Sequence, residues 1–273
     1  MTEKTSVRLG DVQKTLLLPL WGRAVEAMKV RPLLVDRTAT GIIDKIDYDF
    51  STLTKNISDI TQLAWIARSL LIDRLVSSFL NKYPGASIVN IGCGLDTTFD
   101  RIDNGSIRWY DLDLADVIDL RRKFIPESER RKFIASSFLD ADWFKRLEKE
   151  EHILFIAAGV YYYFEKSQIR KFFLKVADAF PGSEMVFDAS SPRGVRVANK
   201  LVIENAGLDE KSFLKWGLSN ASELETWDRR IKVTDEYFYF RELKDRISLR
   251  ARVIGCISDR LKIQYLVHVK FSG

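Results

Sequence analysis

The sequence predicts a single α/β domain built on a mostly parallel sheet. The chain has 273 residues, of which 46% are hydrophobic and 30% are charged, enough to build one full core. In its middle third, short β-rich runs alternate with segments of helix length, which requires crossover connections and therefore parallel strands. The run 153–158 is apolar without alternation, as expected of a central strand that is covered on both faces.

The first 82 residues predict a helical cap. From Ile60 to Phe79, apolar residues recur with the 3.6-residue period of one buried helix face. An earlier helix is expected over Lys14–Met28, where Pro19 favours a late start or a kink. The segment Gly41–Phe50 between them is interpreted as a connecting turn region.

Residues 83–189 predict the core of the sheet. After the turn Tyr83-Pro84-Gly85, strands are expected at residues 86–91, 107–112, 132–135, 153–158 and 185–189, with helices at 117–124 and 167–180. Residues 190–230 predict a helical lid over the sheet edge. In the closing segment 231–273, the runs 249–257 and 262–271 predict an antiparallel hairpin through Ser258-Asp259-Arg260.

A glycine-containing loop after the first core strand is the strongest local signal. In Asn90-Ile91-Gly92-Cys93-Gly94-Leu95-Asp96, Gly92 and Gly94 allow a tight turn and a close approach to a ligand at the carboxyl edge of the sheet. Asp111 and Asp113 follow about 20 residues later, where a carboxylate can accept both ribose hydroxyls. Asp113, nearer the strand-to-helix turn, is preferred over Asp111. The third glycine of a dinucleotide motif is replaced by Thr97, which makes a nicotinamide-cofactor oxidoreductase the weaker alternative.

The composition argues against several other classes of protein. Two cysteines, Cys93 and Cys256, and two histidines predict neither a disulfide framework nor a metal site. The net charge of +5 is spread over a mixed surface, so no nucleic-acid partner is expected, and the clusters 121–123 and 130–132 are interpreted as a solvated face. The segment Met1–Thr5 lacks a signal peptide's apolar core, and no apolar run reaches the roughly 20 residues of a membrane span. A cytoplasmic protein without membrane contact is expected.

Several segments together resemble a known family, the tetracenomycin-type polyketide O-methyltransferases, which are relatives of leucine carboxyl methyltransferase. The segments that carry the resemblance are residues 15–24, 46–50, 92–97, 109–118 and 158–164. The likeness covers nearly the whole chain. It implies a class I S-adenosylmethionine-dependent methyltransferase fold, which is Rossmann-like with a mostly parallel seven-stranded sheet and an antiparallel C-terminal hairpin. It also implies S-adenosylmethionine as cofactor and S-adenosylhomocysteine as product.

The resemblance further implies roles for individual residues. Arg68 would hold the methionine carboxylate, for which a guanidinium fork is well suited. Gly92 and Gly94 would face the methionine and ribose portions, and Ser137 and Phe138 would contact adenine. Ala158 would lie in the same site, but many relatives have a glutamate at this position, so that contact is absent here and the acceptor class is open.

The sequence offers no conspicuous general base. His152 and His268 are interpreted as structural, so catalysis by proximity is expected, acting on a carboxylate or acidic hydroxyl of a small, polyketide-like molecule. Tyr161 and Tyr163 are candidates for the acceptor pocket. Carboxyl methylation of a protein C-terminus and a non-catalytic, cofactor-binding member stay open as alternatives. Trp216 and Trp227 would either shape the acceptor pocket or pack within the lid.

Overall fold

The computed structural model describes residues 4–6, 14–148 and 151–273, and the structural statements below concern those residues. The expected cap therefore lies partly outside the described residues, as does most of the segment Met1–Thr5. The helices are α1 Leu17–Ala27, α2 Arg37–Lys45, α3 Phe50–Thr54, α4 Asp59–Lys82, α5 Thr98–Ile102, α6 Ala115–Arg122, α7 Lys166–Ala179, α8 Pro192–Ala198 and α9 Leu249–Arg260. The strands are β1 Thr5–Ser6, β2 Ile46–Asp47, β3 Ser87–Ile91, β4 Arg108–Asp113, β5 Arg131–Ala135, β6 Ile153–Ala157, β7 Glu184–Ala189, β8 Ile231–Phe238 and β9 Tyr265–Phe271.

The described strands β3 to β9 form one seven-stranded sheet in the order β5-β4-β3-β6-β7-β9-β8. The first five of these strands in the order are parallel, and β9 pairs antiparallel with both β7 and β8. From β3 the chain adds β4 and β5 on one side and then crosses over to add β6 and β7 on the other, so the strand order switches between β3 and β6. Such a switch point opens a crevice at the carboxyl ends of the strands, which is where α/β proteins bind their ligands.

Successive residues of the central strands point to opposite faces, so each face has its own core. Val89 and Ile91 pack in a cluster with α7 and the aromatic residues of the segment 216–227. Ile88 packs in a second cluster with α4 on the other face. A third cluster joins α1 to α3 with the loop after β3, which places the helical cap over the carboxyl edge of the sheet.

The C-terminal hairpin requires a correction. The segment predicted as a strand at 249–257 is helix α9, and Ser248 caps it by accepting a hydrogen bond from the Ala251 backbone N–H. The antiparallel partner of β9 is instead β8, with Ile231 opposite Phe271. The β-branched residues of α9 favour a strand in isolation, but the cap and the packing of the helix decide its structure.

The region Gly41–Phe50 also differs from the predicted connecting turn. Asp36 caps α2 through the Ala39 backbone N–H at 2.9 Å, and the helix continues to Lys45 before the short strand β2. The expected lid contains α8, the π-helical segment Asn199–Glu204 and two 3₁₀ turns. Within the described part of the chain, no helix combines the length and the apolar character that a membrane crossing needs.

Candidate functional site

Two adjoining cavities lie at the carboxyl edge of the sheet. The cap-side cavity extends beneath α1 and α4 and includes Arg23, Trp65 and Arg68. The strand-side cavity extends over the ends of β4 and β5 and includes Asp113 and Ser137. The two cavities share the lining residues Thr15, Leu16, Gly92, Gly94, Gly159 and Tyr163.

The loop after β3 has a backbone that favours glycine at two positions. Gly92 and Gly94 have φ angles of +61° and +47°, in the left-handed region that L side chains rarely adopt. A Cβ on Gly92 would also lie 2.5 Å from a methyl carbon of Val160. Both glycines line both cavities, so the backbone itself forms the shared wall.

Asp113 occupies the end of β4 beside this loop. Its carboxylate accepts hydrogen bonds from the backbone N–H groups of Gly94 and Leu114, both at 2.8 Å. Burial raises the pKa of Asp113 to about 6, although the same two hydrogen bonds act in the opposite direction. The carboxylate is therefore fixed in orientation, lines the strand-side cavity and is ionised near neutral pH.

Asp111 has a different role from the one predicted. Its side chain is fully buried beneath the sheet edge and lines neither cavity. It accepts hydrogen bonds from Arg121 at 2.8 Å, from Arg131 at 3.0 Å and from the Trp109 indole at 2.9 Å. Because these partners occupy the carboxylate, Asp111 is a structural residue and not a ribose ligand.

The same contacts correct the interpretation of the basic clusters. Arg121 is completely buried and Arg131 is 2% exposed, so neither belongs to a solvated face. Arg121 also donates to the Gly94 carbonyl at 2.9 Å, which ties α6 to the glycine loop. Arg122 is exposed, as expected, Arg130 is half-buried, and both pair with nearby acids.

Ser137 and Phe138 follow β5 and line the strand-side cavity. The Ser137 hydroxyl accepts a hydrogen bond from the Leu139 backbone N–H at 3.3 Å. The Phe138 ring is 6% exposed and makes edge-on contacts with Phe164 and Phe172. Phe138 thus contributes an aromatic ring, held by these contacts, to the cavity wall.

Arg68 lies on α4 and lines the cap-side cavity, where it is held by an acid that sequence reasoning missed. Its Nη1 atom is 2.8 Å from Oδ2 of Asp188, at the end of β7. Burial lowers the pKa of Arg68, but Asp188 together with the neighbouring tyrosines outweighs this effect, and the pKa is raised overall. Asp188 also accepts from the Gly159 backbone N–H at 2.7 Å, so Arg68 is fixed against the loop that follows β6.

The three consecutive tyrosines point in different directions, which corrects part of the prediction. Tyr161 is completely buried in the core, with its hydroxyl 3.3 Å from the sulfur of Met185, and it lines neither cavity. Tyr162 lines the cap-side cavity and donates to Asp188 at 2.5 Å. Tyr163 lines both cavities and donates to the Thr15 hydroxyl at 3.3 Å.

The cap-side cavity contains two further charged residues that were not predicted, Arg23 and Asp96. Burial opposes ionisation of Asp96, but the charges of Arg23 and Arg101 outweigh it and lower its pKa to about 2. Arg23 donates to Asp36 at 3.0 Å and to the Leu95 carbonyl at 3.0 Å. Arg23 and Asp188 come from segments far from the glycine loop in sequence, so only the folded chain brings them to this edge.

The remaining candidates lie in the following places. Ala158 lines the cap-side cavity. His152 stacks on Tyr83, and His268 is 2.8 Å from Glu184, so both lie outside the cavity linings. Trp216 and Trp227 pack in the core cluster against Phe187 and Phe173 and contribute to neither cavity.

Comparisons with known proteins find relatives among methyltransferases. The pattern of the leucine carboxyl methyltransferase family matches residues 17–177. The tetracenomycin polyketide synthesis O-methyltransferase TcmP of Streptomyces glaucescens is 31% identical over 222 residues, which is 81% of this chain and 80% of that protein. The S-adenosyl-L-methionine-dependent methyltransferase dpfgK of Gibberella zeae is 25% identical, over 88% of this chain and 86% of that protein.

Solved structures share the fold at low identity. The N-methyltransferase NodS from Bradyrhizobium japonicum WM9, in complex with S-adenosyl-L-homocysteine, aligns with a TM-score of 0.50 and 12% identity, over 97% of this chain and all of that one. Magnesium protoporphyrin IX methyltransferase from Synechocystis PCC 6803 aligns with a TM-score of 0.51 and 9% identity, over 82% of this chain and 94% of that one. The expected architecture, a mostly parallel seven-stranded sheet with an antiparallel end, is thereby confirmed.

Proposed function

The chain belongs to the leucine carboxyl methyltransferase family and is an S-adenosylmethionine-dependent methyltransferase, and on that premise we propose that it is an O-methyltransferase of a small, polyketide-like acid. The proposed acceptor group is a carboxylate or an acidic hydroxyl. The observation that carries the proposal is the lack of a good proton acceptor among the described residues that line the cap-side cavity, which include two arginines, one acid of low pKa and no histidine.

The residues of the strand-side cavity fit the adenosine part of the cofactor. Asp113 offers a fixed carboxylate for two ribose hydroxyls. Gly92 and Gly94, which the positive φ angles favour, have no side chain that would reach the sugar. Ser137 and Phe138 would hold adenine by hydrogen bond and by packing. When bound, the cofactor supplies a methyl group on a positively charged sulfur.

The cap-side cavity would hold the methionine part. A guanidinium has five N–H donors in a planar fork, more than the contact of Arg68 with Asp188 uses. We assign Arg68 to the methionine carboxylate and Asp188 to fixing its orientation. Ala158 lines the same wall with a small side chain.

The ionisable residues that line the cap-side cavity are poor proton acceptors. Asp96, with a pKa of about 2, binds a proton weakly at neutral pH. Burial raises the pKa of both Tyr162 and Tyr163, so their hydroxyls stay protonated and act as donors. An acceptor that already carries negative charge needs no base. Catalysis then depends on alignment and on exclusion of water.

The walls of the same cavity favour an apolar acceptor. Trp65 and Ile72 line it from α4, and Val202, Ile203 and Leu214 line it from the lid. Such a surface suits an aromatic or aliphatic skeleton with one acidic group. The name of the family keeps one other acceptor open, the C-terminal carboxylate of a protein.

The decisive experiment measures both binding and transfer. Calorimetry with S-adenosylmethionine and S-adenosylhomocysteine should give saturable binding to the folded protein. S-adenosylhomocysteine release is then followed with aromatic carboxylic acids, with phenols of graded acidity and with a peptide ending in leucine. We expect turnover with aromatic acids or the most acidic phenols. Turnover with the peptide alone would replace the small-molecule proposal, and rejection of both cofactor forms would refute the assigned site.

A further inference from the structure

Helix α9 is oriented with its bulky apolar residues away from the protein. The residues that face the body of the molecule are small or polar, namely Ala251, Gly255 and Asp259 at i, i+4 and i+8. A Cβ on Gly255 would lie 2.5 Å from Phe240, so the helix packs closely against that residue. A surface helix normally buries its large apolar residues, and this one does the reverse.

The outward face of α9 is an aliphatic stripe. Leu249, Val253 and Ile257 follow the same i, i+4 and i+8 spacing and are 73%, 54% and 55% exposed. Ile254 lies beside them and is 40% exposed. An exposed apolar patch of this kind marks an interaction surface.

A second apolar segment adjoins this stripe. Arg246, just before α9, donates from Nη2 to the carbonyl of Leu33 at 3.0 Å, and Leu33 and Ile247 pack against the same core cluster. The loop that contains Leu33 exposes Val30 almost completely. We call residues 28–37 and 241–260 together the basic apolar face. Of the nine large hydrophobic side chains exposed on the described residues, this face contains seven, which are Met28, Val30, Val35, Leu249, Val253, Ile254 and Ile257.

The basic apolar face also contains the net charge of the chain. Its two segments include nine lysines and arginines against four acids, a net charge of +5 that equals the formal charge of the whole protein. Two of those acids, Asp36 and Asp259, are buried and accept hydrogen bonds from the protein itself. At the surface, the cations therefore outnumber the acids further.

We propose that the basic apolar face binds peripherally to a lipid surface that carries anionic headgroups. Aliphatic side chains bordered by arginines and lysines are the composition that lies in such an interface, where the cations contact headgroups and the apolar groups enter the acyl boundary. This goes beyond the proposed methyl acceptor. It also revises the expectation of no membrane contact, since the protein would lie on the membrane without crossing it.

Charge and composition favour this occupant over the alternatives. A second copy of the chain would bring the same cations face to face, which repels. The exposed large hydrophobics of the described residues include no aromatic side chain, whereas protein-binding hot spots rely on tryptophan and tyrosine. A lipid surface satisfies both the positive charge and the scattered aliphatic groups.

The basic apolar face lies close in sequence to the cap-side cavity, so membrane binding could assist the proposed reaction. Helix α9 is followed after three residues by Gln264, which lines the cap-side cavity. A lipid-bound enzyme would therefore have a wall of its acceptor cavity connected directly to the docked helix. An apolar acceptor dissolved in the membrane would be concentrated near that cavity.

The test uses the full chain and vesicle flotation. Phosphatidylcholine vesicles are compared with vesicles that also contain phosphatidylglycerol, at low and high ionic strength. We expect binding only to the anionic vesicles, weakened by salt because surface charges are screened. The variant Arg250→Glu/Arg252→Glu should bind at least about tenfold more weakly. Its matched control, Arg170→Glu/Lys171→Glu, changes two exposed residues of α7 outside the face and should bind like the wild type.

A second pair of variants tests the apolar stripe. Ile257→Glu should reduce vesicle binding, whereas Leu201→Glu, which is 47% exposed outside the face, should not. Circular dichroism confirms that each variant is folded. Cys256 is exposed and Cys93 is buried, so an environment-sensitive fluorophore on Cys256 should shift to the blue with anionic vesicles only.

Four outcomes would overturn the proposal. These are equal binding to neutral vesicles, no binding at low salt, indistinguishable behaviour of the variants and their controls, and a dimer that Ile257→Glu dissociates. The last outcome would assign the face to a second copy of the chain. None of these outcomes depends on the identity of the methyl acceptor.

Discussion

Two aspartates separated by one residue on the same strand have opposite environments. Asp113 lies at the strand end, where two backbone N–H groups orient it toward the strand-side cavity. Asp111 lies two residues earlier on the same strand, where its carboxylate accepts hydrogen bonds from two buried arginines. Sequence spacing predicted both as ribose-binding and preferred Asp113, which is the one that lines a cavity, but spacing could not show that Asp111 is a buried counterion.

The ribose assignment of Asp113 predicts a pH-dependent affinity. Above a pKa of about 6 the carboxylate is ionised and accepts from both ribose hydroxyls, so the affinity for S-adenosylmethionine should fall as the pH drops through 6. Asp113→Asn should weaken binding at neutral pH by about 10- to 100-fold, because hydrogen bonds to a charged group contribute about 1.5–3 kcal/mol.

Calorimetric titration across the pH range measures both effects. Asp119→Asn, at an exposed position on α6, is the matched control and should keep the wild-type affinity. A pH dependence that persists unchanged in Asp113→Asn would assign the titrating group elsewhere.

Both histidines are predicted to be dispensable for chemistry. His152 stacks on Tyr83 and His268 pairs with Glu184, and neither lines a cavity. His152→Gln and His268→Gln should therefore each retain most of the turnover, measured as S-adenosylhomocysteine release. Loss of turnover in a variant with an unchanged circular dichroism spectrum would contradict catalysis by proximity.

At the scale of elements, the strands were predictable and one helix was not. The continuous apolar runs that became β3 and β6 fit a strand buried on both faces, and the structure places them at the centre of the sheet. Helix α9 was read as a strand because Val253, Ile254 and Ile257 are β-branched and no apolar stripe faces inward. The usual periodicity argument assumes that the apolar side is the buried one.

The buried charges join three elements that sequence reasoning treated as independent. Asp111 on β4 binds Arg121 on α6 and Arg131 on β5. Asp111→Asn would leave the buried Arg121 without its counterion and Arg131 with Asp100 alone, and we expect it to lower the free energy of unfolding by about 3–5 kcal/mol. Urea denaturation measures this change.

An exposed position on α6 provides the comparison for Asp111→Asn. Asp119→Asn removes a solvent-exposed pair with Arg122 and should change the free energy of unfolding by less than about 1 kcal/mol. Equal unfolding midpoints for the two variants would show that the buried ion pairs add nothing to stability.

At the scale of the whole molecule, Asp36 connects the helical cap to the glycine loop. It accepts from Arg23 on α1, from Arg101 on α5 and from Thr97 at the end of the glycine loop, and it also caps α2. The sequence predicted a cap and a core, but these cross-connections involve residues up to 65 positions apart. Polar partners so far apart in sequence leave no periodic pattern from which their contact could be predicted.

Asp36→Asn is therefore predicted to affect stability and binding together. It should lower the unfolding temperature and also weaken S-adenosylmethionine binding, because the loop loses a support at Thr97. Differential scanning calorimetry with and without cofactor measures both, since a ligand at 100 times its Kd adds about 2.7 kcal/mol of stability. Asp44→Asn, exposed on α2, should leave both quantities unchanged. If Asp36→Asn lost stability but kept its affinity for the cofactor, the contact with Thr97 would not support binding.

The turn formed by Thr15 and Leu16 has a kinetic consequence. These two residues line both cavities, Thr15 meets the Tyr163 hydroxyl, and a Cβ on Gly94 would lie 3.3 Å from Leu16. We propose that the spent cofactor spans both cavities and passes these two residues. Its release would then require the turn to open, and the first turnover should run ahead of the steady state as a burst.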